Sequence, residues 1–72
     1  MPARLRNLKR ALEALGIAVE EPGGGSHWLA QQNGKVYPIP AHHGLKEEIA
    51  DVYIRGVCRC FGLNEAALRS KL

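Results

Sequence analysis

Seventy-two residues make one small domain, which buries only about 60% of the surface that its unfolded chain exposes. Its 46% apolar content supports a packed core, but a chain this short excludes multi-domain hinges, doubly wound nucleotide folds and large catalytic clefts. Ten Lys+Arg against seven Asp+Glu leave a net charge of +3. No apolar run reaches the roughly 18 residues needed to cross a bilayer, and no signal-like segment opens the chain, so a cytoplasmic protein is expected.

In chain order, Leu5, Leu8, Leu12 and Leu15 recur at three- and four-residue spacing and predict an amphipathic helix over 3–15. Pro2 suits its first turn, and Gly16 suits the left-handed residue that ends it. Ile17 and Val19 alternate with Ala18 and Glu20, a short strand with one buried face. Glu-Pro-Gly-Gly-Gly at 21–25 breaks regular structure. A second strand is predicted over 26–32, with Trp28 and Ala30 on one face and His27 and Leu29 on the other. Asn33-Gly34 tolerates the positive φ of a type I′ hairpin turn, so 35–39 returns as a third strand. Pro38 and Pro40 donate no ladder hydrogen bond and mark it as an edge.

Beyond a turn at 41–44, Ile54, Val57, Cys58 and Phe61 define one face of a longer helix, which Ile49 and Tyr53 extend by a turn. Two starts are legal: Val52 with Asp51 as N-cap, or Lys46. Gly62 closes this helix, and Asn64 caps a last short turn through about Ser70. The expected fold class is α+β, a two-layer α-β-β-β-α sandwich with a three-stranded antiparallel sheet, as a single domain over 1–72.

Cys58 and Cys60 are two apart, roughly 200° around a helix, so they cannot pair with each other there and read as free thiols. Four cations, Arg4, Arg6, Lys9 and Arg10, fall in the first ten residues without an acid among them, and Arg55 and Arg59 add a second stripe. Segregated charge suits a polyanion, because each phosphate neutralised releases condensed counterions; it equally describes a solvated helix face.

His27 follows three glycines and Ser26, a stretch short of side chains where a ligand can come close. Imidazole exchanges protons near neutrality, and beside a phosphodiester it can take the 2′-hydroxyl proton for attack on phosphorus. Amides of Gly24 and Gly25 suit a phosphate. The alternative for His27 is an ordinary half-exposed strand residue. His42 and His43 together with His27 offer three imidazoles to a metal, but adjacent histidines diverge in extended chain and no carboxylate stands at a ligand spacing, so no metal or other cofactor is expected. Trp28 and Tyr37 are open either to base stacking or to core packing. The Ser26 hydroxyl suits a local backbone bond better than nucleophilic attack.

These residues carry a resemblance. Gly25-Ser26-His27 opening a strand, a two-residue hairpin, Pro-Ile-Pro-Ala-His-His-Gly at 38–44 and Arg59-Cys60-Phe61-Gly62-Leu63 together resemble the HicA family of toxin-type mRNA interferases, in order and spacing from Leu5 to Leu68. The resemblance implies a double-stranded-RNA-binding-domain-like fold, endoribonuclease activity on mRNA without a metal, and neutralisation by a HicB-like antitoxin. It assigns catalysis to His27 and puts His42 at the family's Pro-x-His-x-Gly histidine. Gly24 stands where many members carry Lys or Arg, and Ala30 where an aromatic is usual.

The joint expectation is a small ribonuclease with His27 as general base or acid, His42 and His43 as assistants, and RNA held by Gly25, Ser26, Arg4, Arg6, Lys9, Arg10, Lys35, Arg55 and Arg59. Two other classes stay open: a non-catalytic RNA-binding module, and a protein-interaction domain that pairs with a partner or with itself through the edge strand at 35–40.

Overall fold

The computed structural model describes residues 2–72 as a layer of helices on one face of a small sheet. Strand β1 (Ala3–Arg4) leads into helix α1 (Leu5–Ala14). Then come β2 (Ala18–Glu20), β3 (His27–Gln32) and β4 (Lys35–Pro40), a 3₁₀ turn (Gly44–Lys46), β5 (Glu48–Ile49), α2 (Asp51–Phe61) and α3 (Glu65–Arg69). The three longer strands form an antiparallel meander in the order β2-β3-β4. This is the expected α+β arrangement, with one addition: β1 and β5 form a separate two-stranded ribbon.

Alternation along the strands decides which side faces the helices. Val19, Trp28, Ala30 and Ile39 are buried in one cluster with Leu5, Leu8 and Leu12 of α1 and Ile54, Val57 and Phe61 of α2. The leucine and Ile-Val-Cys-Phe stripes read from the sequence are therefore the two helix faces of the core. At the hairpin, Asn33 and Gly34 have φ of 51° and 81°, as a type I′ turn requires. From β3 the Gln32 amide donates to the carbonyls of Leu15 (3.5 Å) and Gly16 (3.3 Å), meeting acceptors that the end of α1 leaves open.

The ribbon corrects three expectations. First, α1 begins at Leu5 rather than Ala3, because Ala3 and Arg4 pair with Ile49 and Glu48. The Leu5 N–H continues the pairing to the Glu47 carbonyl (2.8 Å), so Pro2 precedes a strand and not a helical turn. Second, α2 starts at neither Val52 nor Lys46. Glu48 and Ile49 are held extended, Ala50 is the N-cap, and Asp51 is the first helical residue. Asp51 does not cap; it complements the helix dipole in the first turn and pairs with Arg69 (3.2 Å). Third, Ile49 is buried from the ribbon, not from a longer α2, and Tyr53 lies off the buried face at 37% exposure.

Downstream, the expected punctuation is present. Gly62 takes φ 67° at the end of α2, and the Leu63 N–H bonds the Cys58 carbonyl (2.8 Å). Asn64 caps α3 by accepting from the Ala67 N–H (3.0 Å).

Strand β4 is the expected sheet edge. The Ala41 N–H donates inward to the Ser26 carbonyl (2.9 Å), so by alternation Tyr37 and Ile39 also point their amides at β3. Val36, Pro38 and Pro40 face the open side, where the two prolines have no N–H to offer. The route considered for self-association thus presents Val36 as its one outward donor, a device that blunts strand addition.

Tyr37 is the lock between the two layers on this side. It leans across Gly56 of α2, and a Cβ at position 56 would come within 2.6 Å of the tyrosine Cζ. A glycine at the middle of a helix is otherwise unfavourable; the close approach of Tyr37 makes it necessary here.

Candidate functional site

The glycine stretch and the two histidine-bearing segments meet at one end of the sheet. Gly23, Gly24 and Gly25 have no atom within 4 Å of where a Cβ would sit, so the approach to β3 is open on that side. Ser26 is half-buried and tied through its carbonyl to Ala41, while His27, the first residue of β3, pairs with Pro40 and is exposed. The Ser26–Ala41 bond carries the register one step past the strand ends, after which the chain turns away through His42 and His43. His42 and His43 are both exposed in the following turn. The His43 backbone N–H donates to the Glu47 carboxylate (3.1 Å), which anchors that turn. Among the described residues, no three His, Cys, Asp or Glu side chains lie together so as to hold a metal ion.

The sheet has two unlike faces. Because Trp28 and Ala30 point into the core, His27 shares the open face with Leu29, Gln31, Glu20, Val36 and Pro38. Among the described strand residues that face carries no lysine or arginine, and its acid, Glu20, accepts from the Gln31 amide. Trp28 is 6% exposed and Tyr37 packs against Gly56, so of their two open roles both take core packing.

The expected RNA-contacting cations are spread over several surfaces. Arg6 and Arg10 lie on the side of α1 opposite its leucines, while on α2 Arg59 lies away from Ile54 and Phe61 and Arg55 on the flank of that face; all four are exposed. These positions are across the helix layer from His27. Lys9 is engaged by Glu13 (2.9 Å). Arg4 belongs to the ribbon, its guanidinium donating to the Lys46 carbonyl (2.9 Å). Lys35 pairs with Gln32 at the hairpin, about 17 Å along β3 from His27 at roughly 3.4 Å per residue. The structure therefore sets Gly25, Ser26 and His27 next to the Pro40–Ala41 end of β4, with His42 following in the turn, and puts the arginine pairs on the helices.

Two features escaped sequence reasoning. An open cleft of about 480 Å³ lies between the ribbon, α1 and the end of the chain, lined by Ala3, Arg4, Asn7, Glu48, Arg69 and Leu72 among others. Beside it Arg69 bonds both Glu65 (2.8 Å) and Asp51 (3.2 Å). The Glu65–Arg69 pair was legible from its four-residue spacing; the Asp51 contact, eighteen residues away, was not.

The two thiols differ in character. Cys58 is 5% exposed and free, and burial, followed by the nearby Glu65 carboxylate, pushes its thiol above the ordinary value of 9.0, with Arg69 opposing. Cys60 is free and half-buried. A raised thiol pKa stabilises the fold fully below pH 9.0, and that contribution is lost as pH rises through the folded value. Iodoacetamide at pH 8 is expected to modify Cys60 first and Cys58 only with unfolding, read by peptide mass spectrometry. Equal rates at the two sites would show that Cys58 is not enclosed.

No helix among the described residues is long and apolar enough to cross a membrane. Comparison with known proteins finds no matching family model, no matching curated protein and no matching solved structure.

Proposed function

We propose that this chain is a metal-independent endoribonuclease with the double-stranded-RNA-binding-domain-like arrangement that its resemblance to HicA toxins implies. In this reading it acts on mRNA in the cytoplasm and is neutralised by a HicB-like antitoxin. One observation carries the proposal: His27 is exposed at the end of an unobstructed glycine stretch.

The chemistry asks little more of the chain. The His27 imidazole takes the proton of a ribose 2′-hydroxyl, the 2′-oxygen bonds to the adjacent phosphorus, and the 5′-oxygen leaves with a proton returned by an imidazolium. A 2′,3′-cyclic phosphate and a new 5′-hydroxyl result. The Gly24 and Gly25 amides, which donate to no backbone carbonyl among the described residues, suit the phosphate oxygens, and His42 is the candidate to share the proton traffic.

Purified wild type and His27→Ala are compared on a long single-stranded RNA with chelator present. The variant is expected to cleave about 10²- to 10⁴-fold more slowly, the usual contribution of one acid–base group. Undiminished cleavage by the variant overturns the assignment.

A second reading, a non-catalytic RNA-binding module, has its own support in the separation of Arg6, Arg10, Arg55 and Arg59 from the His27 face. It is distinguished by salt-sensitive RNA retention without new RNA ends, and by binding that His27→Ala leaves unchanged.

A further inference from the structure

The chain holds three asparagines, and the fold treats them differently. Asn7 sits within α1, where its side-chain oxygen accepts from Arg10 (3.3 Å). Asn64 is the α3 cap, its oxygen held by the Ala67 N–H (3.0 Å). Asn33 stands exposed at the tip of the β3–β4 hairpin, and among the described residues its carboxamide has no hydrogen-bond partner.

The residue that follows each asparagine differs as well. Leu8 and Glu65 carry long side chains and belong to helices. Gly34 carries none, and no atom lies within 4 Å of where its Cβ would sit. Its N–H donates to no backbone carbonyl among the described residues. Only at this position does an unhindered backbone nitrogen follow a free side-chain amide.

We infer that Asn33 is a modification site, at which the Gly34 nitrogen closes on the asparagine side chain to form a succinimide, and that the native hairpin turn holds this reaction back. Hydroxide takes the Gly34 amide proton, and the nitrogen bonds to Asn33 Cγ. The bond from Cγ to Nδ2 breaks, and that nitrogen leaves as ammonia with a proton from water. Water then opens the five-membered ring. Opening at Cγ gives aspartate; opening at the Asn33 backbone carbonyl carbon gives isoaspartate, with the chain rerouted through the side-chain methylene. Either way one water is consumed and one ammonia released.

The restraint comes from the turn itself. Ring closure needs the Gly34 nitrogen on the same side of the Asn33 Cα–C bond as Cβ. With φ of 51° and 81° the pair has the type I′ form, in which ψ at the first central residue is about +30°. At that ψ the nitrogen stands nearly opposite Cβ, so the folded turn is a poor reactant. Reaction waits on opening of the hairpin tip, which the Gln32–Lys35 pairing opposes. The Gln32 amide bonds to the Leu15 (3.5 Å) and Gly16 (3.3 Å) carbonyls oppose it too.

The two products have different consequences. Asp-Gly suits a type I′ turn as Asn-Gly does, so aspartate leaves the hairpin intact. Isoaspartate adds a backbone atom to a two-residue loop whose length sets the register, and so pulls Gln32 from its place against the end of α1. This chemistry uses nothing on the His27 face and holds whether or not the chain cleaves RNA.

The test is to age the purified chain at mildly alkaline pH, folded in buffer or unfolded in guanidinium chloride, with circular dichroism confirming each state. Peptide mass spectrometry maps the converted asparagines, and enzymatic methylation counts isoaspartate. Conversion is expected at Asn33 ahead of Asn7 and Asn64. It should run at least about tenfold faster in denaturant, because loop tips open locally at a small but real cost. Asn33→Gln, which would have to close a larger ring, is expected to abolish conversion at this position. Asn33→Asp is expected to keep the wild-type Tm, and aged protein rich in isoaspartate to fall below it. Equal rates in the two conditions, or conversion led by Asn7 or Asn64, overturns the inference. A Tm for Asn33→Asp as low as that of the aged protein overturns the assignment of the damage to isoaspartate.

Discussion

Gly56→Ala is expected to destabilise the domain, although the same change in an unobstructed helix interior gains about 1 kcal/mol. The added methyl group falls on the Tyr37 ring, so either the ring leaves its seat or α2 lifts from β4. Overpacking of this kind costs typically about 1–3 kcal/mol, and in a domain this small each kcal/mol lowers Tm by roughly 4–8 °C. The sign is diagnostic, because propensity and packing predict opposite directions. Thermal unfolding followed by circular dichroism reads it. A second variant, Gly56→Ala with Tyr37→Leu, is expected to recover most of the loss, since the shorter side chain clears the helix. A rise in Tm for Gly56→Ala alone would mean that the tyrosine does not cross the helix there.

Ile54→Ala carries the other large expected effect. Ile54 is fully buried on the face of α2 that joins the core cluster. Truncating such a side chain costs about 2–5 kcal/mol, the upper end applying where the surroundings cannot collapse into the space. A 72-residue domain has total stability on the order of 4–11 kcal/mol, so a large fraction goes with this one residue. Val52→Ala, two positions earlier at 59% exposure, is the internal control and is expected to stay within about 0.5 kcal/mol. Urea titration should show a lower midpoint for Ile54→Ala at an unchanged slope. Equal midpoints for the two variants would contradict the placement of the α2 face.

The pair also shows how far a pattern reads. Ile54, Val57, Cys58 and Phe61 are three and four apart, and a periodic stripe of that length names its own buried side. Extending the same stripe back to Ile49 and Tyr53 went wrong for a specific reason. Periodicity reports that Ile49 is buried, but not that a strand partner forty-six residues earlier, Ala3, does the burying. The start of α2 slipped with it, since Asp51 is an acceptable cap until the backbone before it is known to be occupied.

The candidate site divides in the same way. His27 on the exposed side of β3 follows from strand alternation beside Trp28 and Ala30, and the Gly-Ser-His segment announces itself locally. Which cations accompany it is not a local question. Seven basic residues were candidates for one interface, and the fold distributes them over the ribbon, the hairpin and the outer helix layer, away from His27.

By itself the sequence determined the features whose energetics close within a few residues: the leucine stripe of α1, the alternation of β2 and β3, the Asn33-Gly34 turn, the prolines of the edge strand and the Asn64 cap. Each depends on spacing, φ preference or a missing N–H, and those travel with the residue. Tertiary structure alone decided the β1–β5 ribbon, the seat of Tyr37 on Gly56 and the assignment of arginines and His27 to opposite faces. Those outcomes depend on which segments, distant along the chain, are packed together once the core has closed.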